Sequence, residues 1–400
     1  LRDNVKEELK NLENQGIISK VKYSDWASPL VCVPRKNGKL RLCVDLKVTV
    51  NKFVTVDQYP LPRMEDIFQK FHDAKVFYKI DLSNAFLQIE VSENSKRLLT
   101  VNTINGLYVF NRLCFGLSSA PAIFQSTIDK ILEGIENCAA YQDDVLIGGE
   151  NYKSCEVVLN NVLSRLNVFN VKINVEKSEF FVSSLEMLGY TISSEGLGTS
   201  KSKIEKILKA PCPQNVTQLK SYLGLFNYYR KFVNMTSDIL EPLHRLLRKD
   251  TEWYWSDECE EAFQKSKSVI SEKSLLVLFD PRKPIVLTCD SSCYGVGAVI
   301  SHVIDGIEKP IAFESATLTK AQRNYSQLHR EALSIIFGVT KFHKYLAGNS
   351  FTIVTDHEPL VSLFSEKNIY RKCLMLDYSD GQSFYRPINI KYNTKKGHIS

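Results

Sequence analysis

"NCAAYQDDVLIGG", residues 137–149, decides how the rest of the chain is read. Two carboxylates, Asp143 and Asp144, stand side by side in an otherwise apolar run. Ala139, Ala140 and Tyr141 precede them, and Val145, Leu146 and Ile147 follow. Two short apolar stretches around a polar tip read as strands joined by a tight turn, with Gln142-Asp143-Asp144 near the tip. Asp is a common turn former, so a plain hairpin turn accounts for the pair as well as chemistry does. A third carboxylate weighs on the choice. Asp81 ends the apolar run "VFYKI", where an inward-facing charge is costly. If Asp81 lies beside the turn, three carboxylates converge. Each like-charge contact at ~4 Å then costs from about 1 kcal/mol in water to ~4 in a partly buried site. A cation offsets that cost, and Mg²⁺ suits it, being hard, oxygen-preferring and held by a few carboxylates plus substrate phosphates. Two such ions ~4 Å apart stabilise the attacking and leaving oxygens of an in-line phosphoryl transfer.

Composition sets the frame. Four hundred residues suffice for two or three domains with real cores, and 44% hydrophobic with 24% charged residues is ordinary for a globular chain. No apolar run reaches the ~18 residues of a membrane span, and no signal peptide opens the chain. The first residue is Leu1, not Met, so the expectation is a piece cut from something longer. Cysteines such as Cys32 and Cys43 sit in strand-like apolar runs, which suits reduced, buried thiols of the cytosol. Cys289 and Cys293 are a close pair without a second pair at zinc spacing, so no zinc site is expected. The net charge of +6 is uneven. Between 201 and 250, bases such as Lys201, Lys203, Lys206, Lys220, Arg230 and Lys231 are interleaved with Tyr222, Phe226, Tyr228, Tyr229 and Phe232. Such a segment fits a phosphate-tracking surface, or a solvated helix face over a buried aromatic stripe.

Along the chain, residues 1–22 read as a helix broken by Gly16, and 28–46 as a β-hairpin turning at Asn37-Gly38. Residues 76–91 read as a strand up to Asp81 that resumes near Leu87. An amphipathic helix over 118–135 leads into the opening hairpin, and another follows near 152–170. Helices dominate 201–250. Past Pro281 come the strands "IVLTCD", "GVGAVISHV" and "PIAFESATL", a long helix, and the strand "SFTIVTD".

"YQDD" in a hairpin, "DLSNAF" upstream and "LCFGLSSAPAIFQ" between them resemble the reverse transcriptase pattern, most closely that of gypsy-type long-terminal-repeat retrotransposons. "GIISKVKYSDWASPLVCVPRKNGKLRLCVDL", "YPLPRMEDIF", "LGYTISSEG" and "LGLFNYYRKF" extend the likeness over nearly the whole chain. The resemblance implies that Asp81, Asp143 and Asp144 bind metal, with Asp81 and Asp143 the more direct ligands. It implies that Tyr141 and Gln142 shape the hairpin against the primer end. Phe86 matches the aromatic gate under the sugar, which clashes with a 2′-OH; a core aromatic is its other reading. Arg41 and Lys36 would reach the incoming triphosphate, Arg through forked contacts and Lys as a point charge, or else lie on a solvated hairpin. Phe115 and Gly116 would line the nucleotide pocket; many relatives carry Gln at the first position, so a polar contact to the sugar would be missing. Leu188 and Gly189 match the primer grip, or a simple turn.

In the last third, Asp290 ends one strand, Glu331 lies at the margin of the apolar stripe Leu328, Ala332, Ile335, Ile336, Val339, Phe342 and Leu346, and Asp356 ends another strand. Each acid alone suits a surface role. Together, in strand–strand–strand–helix–strand order, they resemble the RNase H domain of the same retroelements, where Asp290, Glu331 and Asp356 would bind two Mg²⁺ ions and activate water. His357 is read as structural. The family's fourth acid follows a stretch like "KYNTKKGHIS", and this sequence ends at Ser400 just before that point. Residues 366–387 depart from the pattern, and neither Asp377 nor Asp380 is promoted to that role.

The expectation is therefore an α+β multidomain chain: a right-hand polymerase of fingers, palm and thumb, followed by an RNase H-like α/β domain. Fingers and palm would occupy 1–194, thumb or connecting region 195–283, and a C-terminally truncated RNase H-like domain 284–400. Its cofactor would be Mg²⁺, two ions per site, with Mn²⁺ as an alternative. Its partners would be RNA and DNA template–primer, RNA–DNA hybrid, deoxynucleoside triphosphates and the protease and integrase of the same polyprotein, without a membrane. It would act in the cytoplasm inside a virus-like particle, or in the nucleus. The rivals are an RNA-dependent RNA polymerase, which Phe86 and the trailing nuclease pattern oppose, and a decayed or domesticated nucleic-acid-binding copy.

Overall fold

The computed structural model describes residues 2–34, 40–249, 251–271, 275–363 and 388–392. Lys36 and the Asn37-Gly38 turn lie outside the described residues, as do Asp377 and Asp380. The chain divides into two compact units, 1–185 and 186–400.

The first unit holds two sheets. A five-stranded sheet runs in the order Ile18–Val21, Gly106–Phe110, Thr100–Thr103, Ser28–Pro34, Leu40–Val44. The last two strands form the antiparallel pair expected of 28–46, with Val33 opposite Arg41. The helix Arg2–Asn14 buries Val5, Leu9 and Leu12, spaced one helical turn apart, against this sheet's core of Ile18, Leu42, Leu46 and Tyr108.

The second sheet has four strands, in the order Cys138–Tyr141, Asp144–Gly149, Val76–Leu82, Ile173–Val182. Period-2 alternation explains the central strand "VFYKIDL". Tyr78, Ile80 and Leu82 enter the core with Val145, Ile147, Phe124 and Ile128, whereas Lys79 and Asp81 share the other face and stay half-buried. The helix Tyr152–Val168 opens with a reciprocal cap between Asn151 and Ser154, then adds Cys155, Val162 and Leu166 to that core. The expected return to strand near Leu87 does not occur. Asn84 is left-handed (φ 46°), which turns the chain into the 3-10 segment Ala85–Gln88. Gln88 Nε2 then ties the turn to the carbonyls of Ser83 and Lys172.

In the second unit a three-stranded antiparallel ribbon (Ser184–Met187, Tyr190–Ser193, Gly196–Thr199) leads into the helices Lys201–Leu208, Val216–Asn227, Thr236–Arg245 and Asp257–Ser271. A five-stranded mixed sheet follows, in the order Ile307–Thr317, Gly295–Ile304, Ile285–Ser291, Phe351–Thr355, Ile388–Tyr392. Ile285–Ser291 pairs antiparallel with Gly295–Ile304 and parallel with Phe351–Thr355. The helix Gln327–Lys341 supplies the crossover and packs Ile335 into a core with Leu287, Ile300 and Ile353. Ile336, read as part of the apolar stripe, is exposed. Cysteines in the described residues are all free thiols. Among the described residues no helix is long and apolar enough to cross a membrane.

Candidate active sites

Asp81 and Asp144 are direct cross-strand partners in the four-stranded sheet. Asp143 sits at the exposed tip of the Cys138–Tyr141 and Asp144–Gly149 hairpin, where Tyr141 pairs with Asp144 around a two-residue turn. Gln142 takes φ 52°, the left-handed conformation that such tight hairpin turns demand. A left-handed non-glycine residue costs roughly 1–2 kcal/mol, and hydrogen bonds to the tip offset it. Gln125, fully buried in the helix Ala120–Ile131, accepts from the Gln142 amide at 2.9 Å and donates to the Ala140 carbonyl at 3.0 Å. The Asp143 carbonyl accepts from Leu82 N at 2.8 Å, fastening the tip to the strand that carries Asp81.

Cations already crowd this face. Lys79 Nζ lies 3.2 Å from Asp144 Oδ2, and Lys177 Nζ lies 4.0 Å from Asp81 Oδ1. Burial raises the Asp144 pKa; Lys79 opposes the rise, while Asp143 and Asp81 add to it. Desolvation therefore outweighs the ion pair. Two ammonium groups beside this acid set show that the donor arrangement attracts positive charge, as a divalent-ion site must. Lys79 and Gln125 were missed in the sequence. Lys79 was findable, since two residues before Asp81 on a strand means the same face. Gln125 is a polar residue on an apolar helical face, which signals a buried hydrogen-bonding task.

Beside the acids, Phe86 is half-buried, its ring centroid 5.2 Å from Phe115 and 5.5 Å from Phe124. The Arg41 guanidinium lies 5.0 Å above the Phe115 ring. Phe115 was expected to leave the pocket without a polar contact to the sugar, and an arginine–aromatic stack stands at that position. Gly116 follows, its carbonyl accepting from Asn51 Nδ2 at 2.8 Å. A cavity of about 670 Å³ opens beside Arg41, Asn84, Leu87 and Phe115, its far wall being the helix Arg2–Asn14.

In the second unit, Leu188 (φ 48°) and Gly189 (φ 85°) form a left-handed turn. Two tyrosine hydroxyls hold its carbonyls: Tyr228 donates to Leu188 O, and Tyr229 to Gly189 O at 3.0 Å. A Cβ on Gly189 would come within 2.7 Å of the Tyr229 hydroxyl, so glycine is required by space as well as by φ. The aromatic stripe around 222–232 is thus buried at Tyr222, Phe226, Tyr229 and Phe232, with Tyr228 exposed and stacked 5.1 Å from Tyr190.

The three acids of the mixed sheet do converge: carboxylate oxygens of Asp290, Glu331 and Asp356 lie within 4.8 Å of one another. Asp290 and Asp356 are exposed, whereas Glu331 is 1% exposed. Ser291 Oγ and Gln327 Nε2 both donate to Glu331 Oε1 at 2.6 Å, leaving Oε2 buried and without a hydrogen-bond partner. Burial pushes the Glu331 pKa up to about 7, with Asp356 and Asp290 adding to the rise. Burial likewise raises that of Asp290, followed by the charge of Asp356. Three converging carboxylates, one of them with a buried oxygen that lacks a hydrogen-bond partner, make a donor set suited to a hard metal ion. Gln327 could have been found in the sequence, lying four residues before Glu331 on one helix.

Comparison with known proteins finds two domain families in the chain. Residues 33–192 match the family described as reverse transcriptase (RNA-dependent DNA polymerase), and residues 255–353 the RNase H-like domain found in reverse transcriptase. The Pol polyprotein of transposon 412 from Drosophila melanogaster is 34% identical over 86% of this chain. The Tf2-3 polyprotein of Schizosaccharomyces pombe is 34% identical over 97%. The chain spans 28% and 29% of those polyproteins. The foamy viral protease-reverse transcriptase in complex with double-stranded DNA superposes with a TM-score of 0.87, at 22% identity, over 99% of this chain and 83% of that one. The chain therefore holds a reverse transcriptase domain and an RNase H-like domain, and is similar to the matching region of transposon polyproteins.

Proposed function

We propose that the chain extends a primer 3′-OH on RNA and then DNA templates from deoxynucleoside triphosphates, and cleaves the RNA of the resulting hybrid. One observation carries the reading: the cross-strand pairing of Asp81 with Asp144 beside Asp143 at a hairpin tip. Mg²⁺, or Mn²⁺ in its place, would supply Lewis-acid stabilisation of the attacking and leaving oxygens. The protein's part is positioning and electrostatics. Asp81 and Asp143 would hold the ions, while Asp144, paired with Lys79, sets the charge around them. Gln125 holds the tip still by gripping both the Ala140 carbonyl and the Gln142 amide.

Arg41 and Lys36 would meet the triphosphate, Phe115 and Gly116 would border the base and sugar, and Phe86 would exclude a 2′-OH. Tyr141, Gln142, Leu188 and Gly189 would seat the primer end. In the second centre, Asp290, Glu331 and Asp356 would hold the ions that activate water against hybrid RNA, Glu331 through its unpartnered Oε2. The curated relatives are polyproteins, which supports other segments of one polyprotein as neighbours; a protease and an integrase are the segments proposed, with a cytoplasmic virus-like particle or the nucleus as the setting. The test is primer extension on an RNA template with Mg²⁺ and deoxynucleotides, alongside cleavage of a labelled hybrid. Extension is expected from the wild-type chain and none from Asp143→Asn. Equal extension by the two would overturn the reading.

A further inference from the structure

The helix Thr236–Arg245 lies outside the mixed sheet, yet its first turn is pressed against the strands Gly295–Ile304 and Ile307–Thr317, the first of which pairs with the strand that carries Asp290. Two glycines make the approach possible. A Cβ on Gly295 would meet Ser237 Oγ at 2.3 Å, and one on Gly297 would meet Met235 Sδ at 2.4 Å. Ser315 Oγ fixes the docking, accepting from Ser237 N at 3.1 Å and bonding Thr236 Oγ1 at 2.5 Å. This placement brings Asp238 to the turn that follows Asp290. Ser292 Oγ donates to Asp238 Oδ1 at 2.8 Å, and accepts from the amides of Tyr294 at 3.1 Å and Gly295 at 2.9 Å.

The same helix shows what a structural acid looks like here. Glu241, one turn on and 5% exposed, is met by Arg245, Arg248 and Arg323 at 2.7 to 3.4 Å. Asp238 has no such cation: among the described residues none lies within ion-pair distance of it. Its charge is instead felt by Asp290, where it adds to the effects of burial and of Asp356. A half-buried carboxylate kept uncompensated beside other carboxylates is unfavourable unless a cation joins them.

We propose that Asp238 is an outer carboxylate of the nuclease centre, placed by its Ser292 bond so that its negative charge strengthens the field in which divalent ions bind. Asp238 lies outside the group of three whose oxygens come within 4.8 Å, so it acts on the ions through space and through the turn, and is a positioning residue. The proposal rests on reading Asp290, Glu331 and Asp356 as the nuclease acids.

The test measures Mn²⁺ alone by isothermal titration in the full chain, in an Asp81→Asn/Asp143→Asn background that removes ion binding at the polymerase acids. Asp238→Asn keeps an oxygen for Ser292 and deletes the charge; it should weaken Mn²⁺ binding by about three- to tenfold, and Asp238→Glu should restore most of it. Ser292→Ala, which keeps the charge, should lose less. In the chain with intact polymerase acids, Asp238→Asn should raise the Mg²⁺ needed for hybrid cleavage and leave primer extension unchanged. Wild-type Mn²⁺ affinity in Asp238→Asn, or an equal loss in Ser292→Ala, overturns the proposal. Asp290→Asn separates the two levels. If it abolishes Mn²⁺ binding while Asp238→Asn changes nothing, only Asp238 has lost its role. If Asp290→Asn also changes nothing, the nuclease reading falls and the proposal with it.

Discussion

Lys79 and Asp144 are diagonal neighbours on adjacent antiparallel strands, and their side chains meet at 3.2 Å on the face that also carries Asp81. Lys79 thus pairs with the half-buried Asp144, while Lys177 lies 4.0 Å from Asp81. The polymerase centre is a balance of charge, which several substitutions can tip in known directions.

Neutralising the acids comes first. Asp81→Asn, Asp143→Asn and Asp144→Asn each keep side-chain shape and remove charge. Each is expected to lower the rate of primer extension by at least about a hundredfold, with template–primer affinity within about threefold of wild type. Single-turnover extension and equilibrium binding, run side by side, separate the two quantities.

Lys79→Met removes the positive charge that competes for Asp144. The Mg²⁺ concentration for half-maximal extension should fall by about threefold, because the acids then face the ions with more net negative charge. The maximal rate should also fall, since Asp144 loses the partner that orients it. An unchanged Mg²⁺ curve would mean that Lys79 only fills space.

Phe86 packs at a tilt against both Phe115 and Phe124, so its ring is braced by two neighbours. Phe86→Val should admit ribonucleotides while still incorporating deoxynucleotides, raising the ribo-to-deoxy ratio by at least about tenfold. A ratio equal to that of wild type would assign the ring to core packing.

Glu331 gives a pH signature. Its pKa in the folded chain is raised to about 7 from 4.5. Between those values the folded state binds more protons than the unfolded state. Its stabilising contribution is therefore complete below about 4.5 and is lost as pH rises through 7, an effect of order 3 kcal/mol. In chelator, the second unit should melt lower at pH 8 than at pH 5.5. Glu331→Gln should flatten that difference, and added Mg²⁺ should recover stability at pH 8 only in the wild type. Melting curves with and without Mg²⁺ at both values decide it.

Gly189→Ala would place a methyl group against the Tyr229 hydroxyl in a left-handed conformation. The cost should be about 1–3 kcal/mol, a fall of roughly 2–10 °C in the melting temperature of that unit. Template–primer affinity should fall with it if the turn seats the primer. Wild-type melting and wild-type affinity together would refute both the packing and the binding role of this turn.

Much of this was legible in the chain. The hairpin around Asp143 and Asp144 could be read because its two apolar arms differ from a two-residue polar tip. The succession of four strands of the mixed sheet along the chain could be read because each is apolar and bounded by turn residues; their order in the sheet and the strand Ile388–Tyr392 could not. The return to strand near Leu87 was misread: alternating apolar residues continue there, but a left-handed Asn84 and the grip of Gln88 on two carbonyls turn the chain into a 3-10 segment.

The sequence by itself determined which residues are acids and where they stand at strand ends and a hairpin tip, and the resemblance carried by its motifs led to the expectation that three converge in each half. It could not determine what surrounds them. That Gln125 steadies the Gln142 turn, that Arg41 stacks on Phe115, that two tyrosines hold the carbonyls of Leu188 and Gly189, and that Asp238 reaches Ser292 were decided by tertiary packing alone. The reason is physical. Periodicity reports a side chain's direction within its own element, whereas a hydrogen bond or an uncompensated charge depends on which distant element is packed against it.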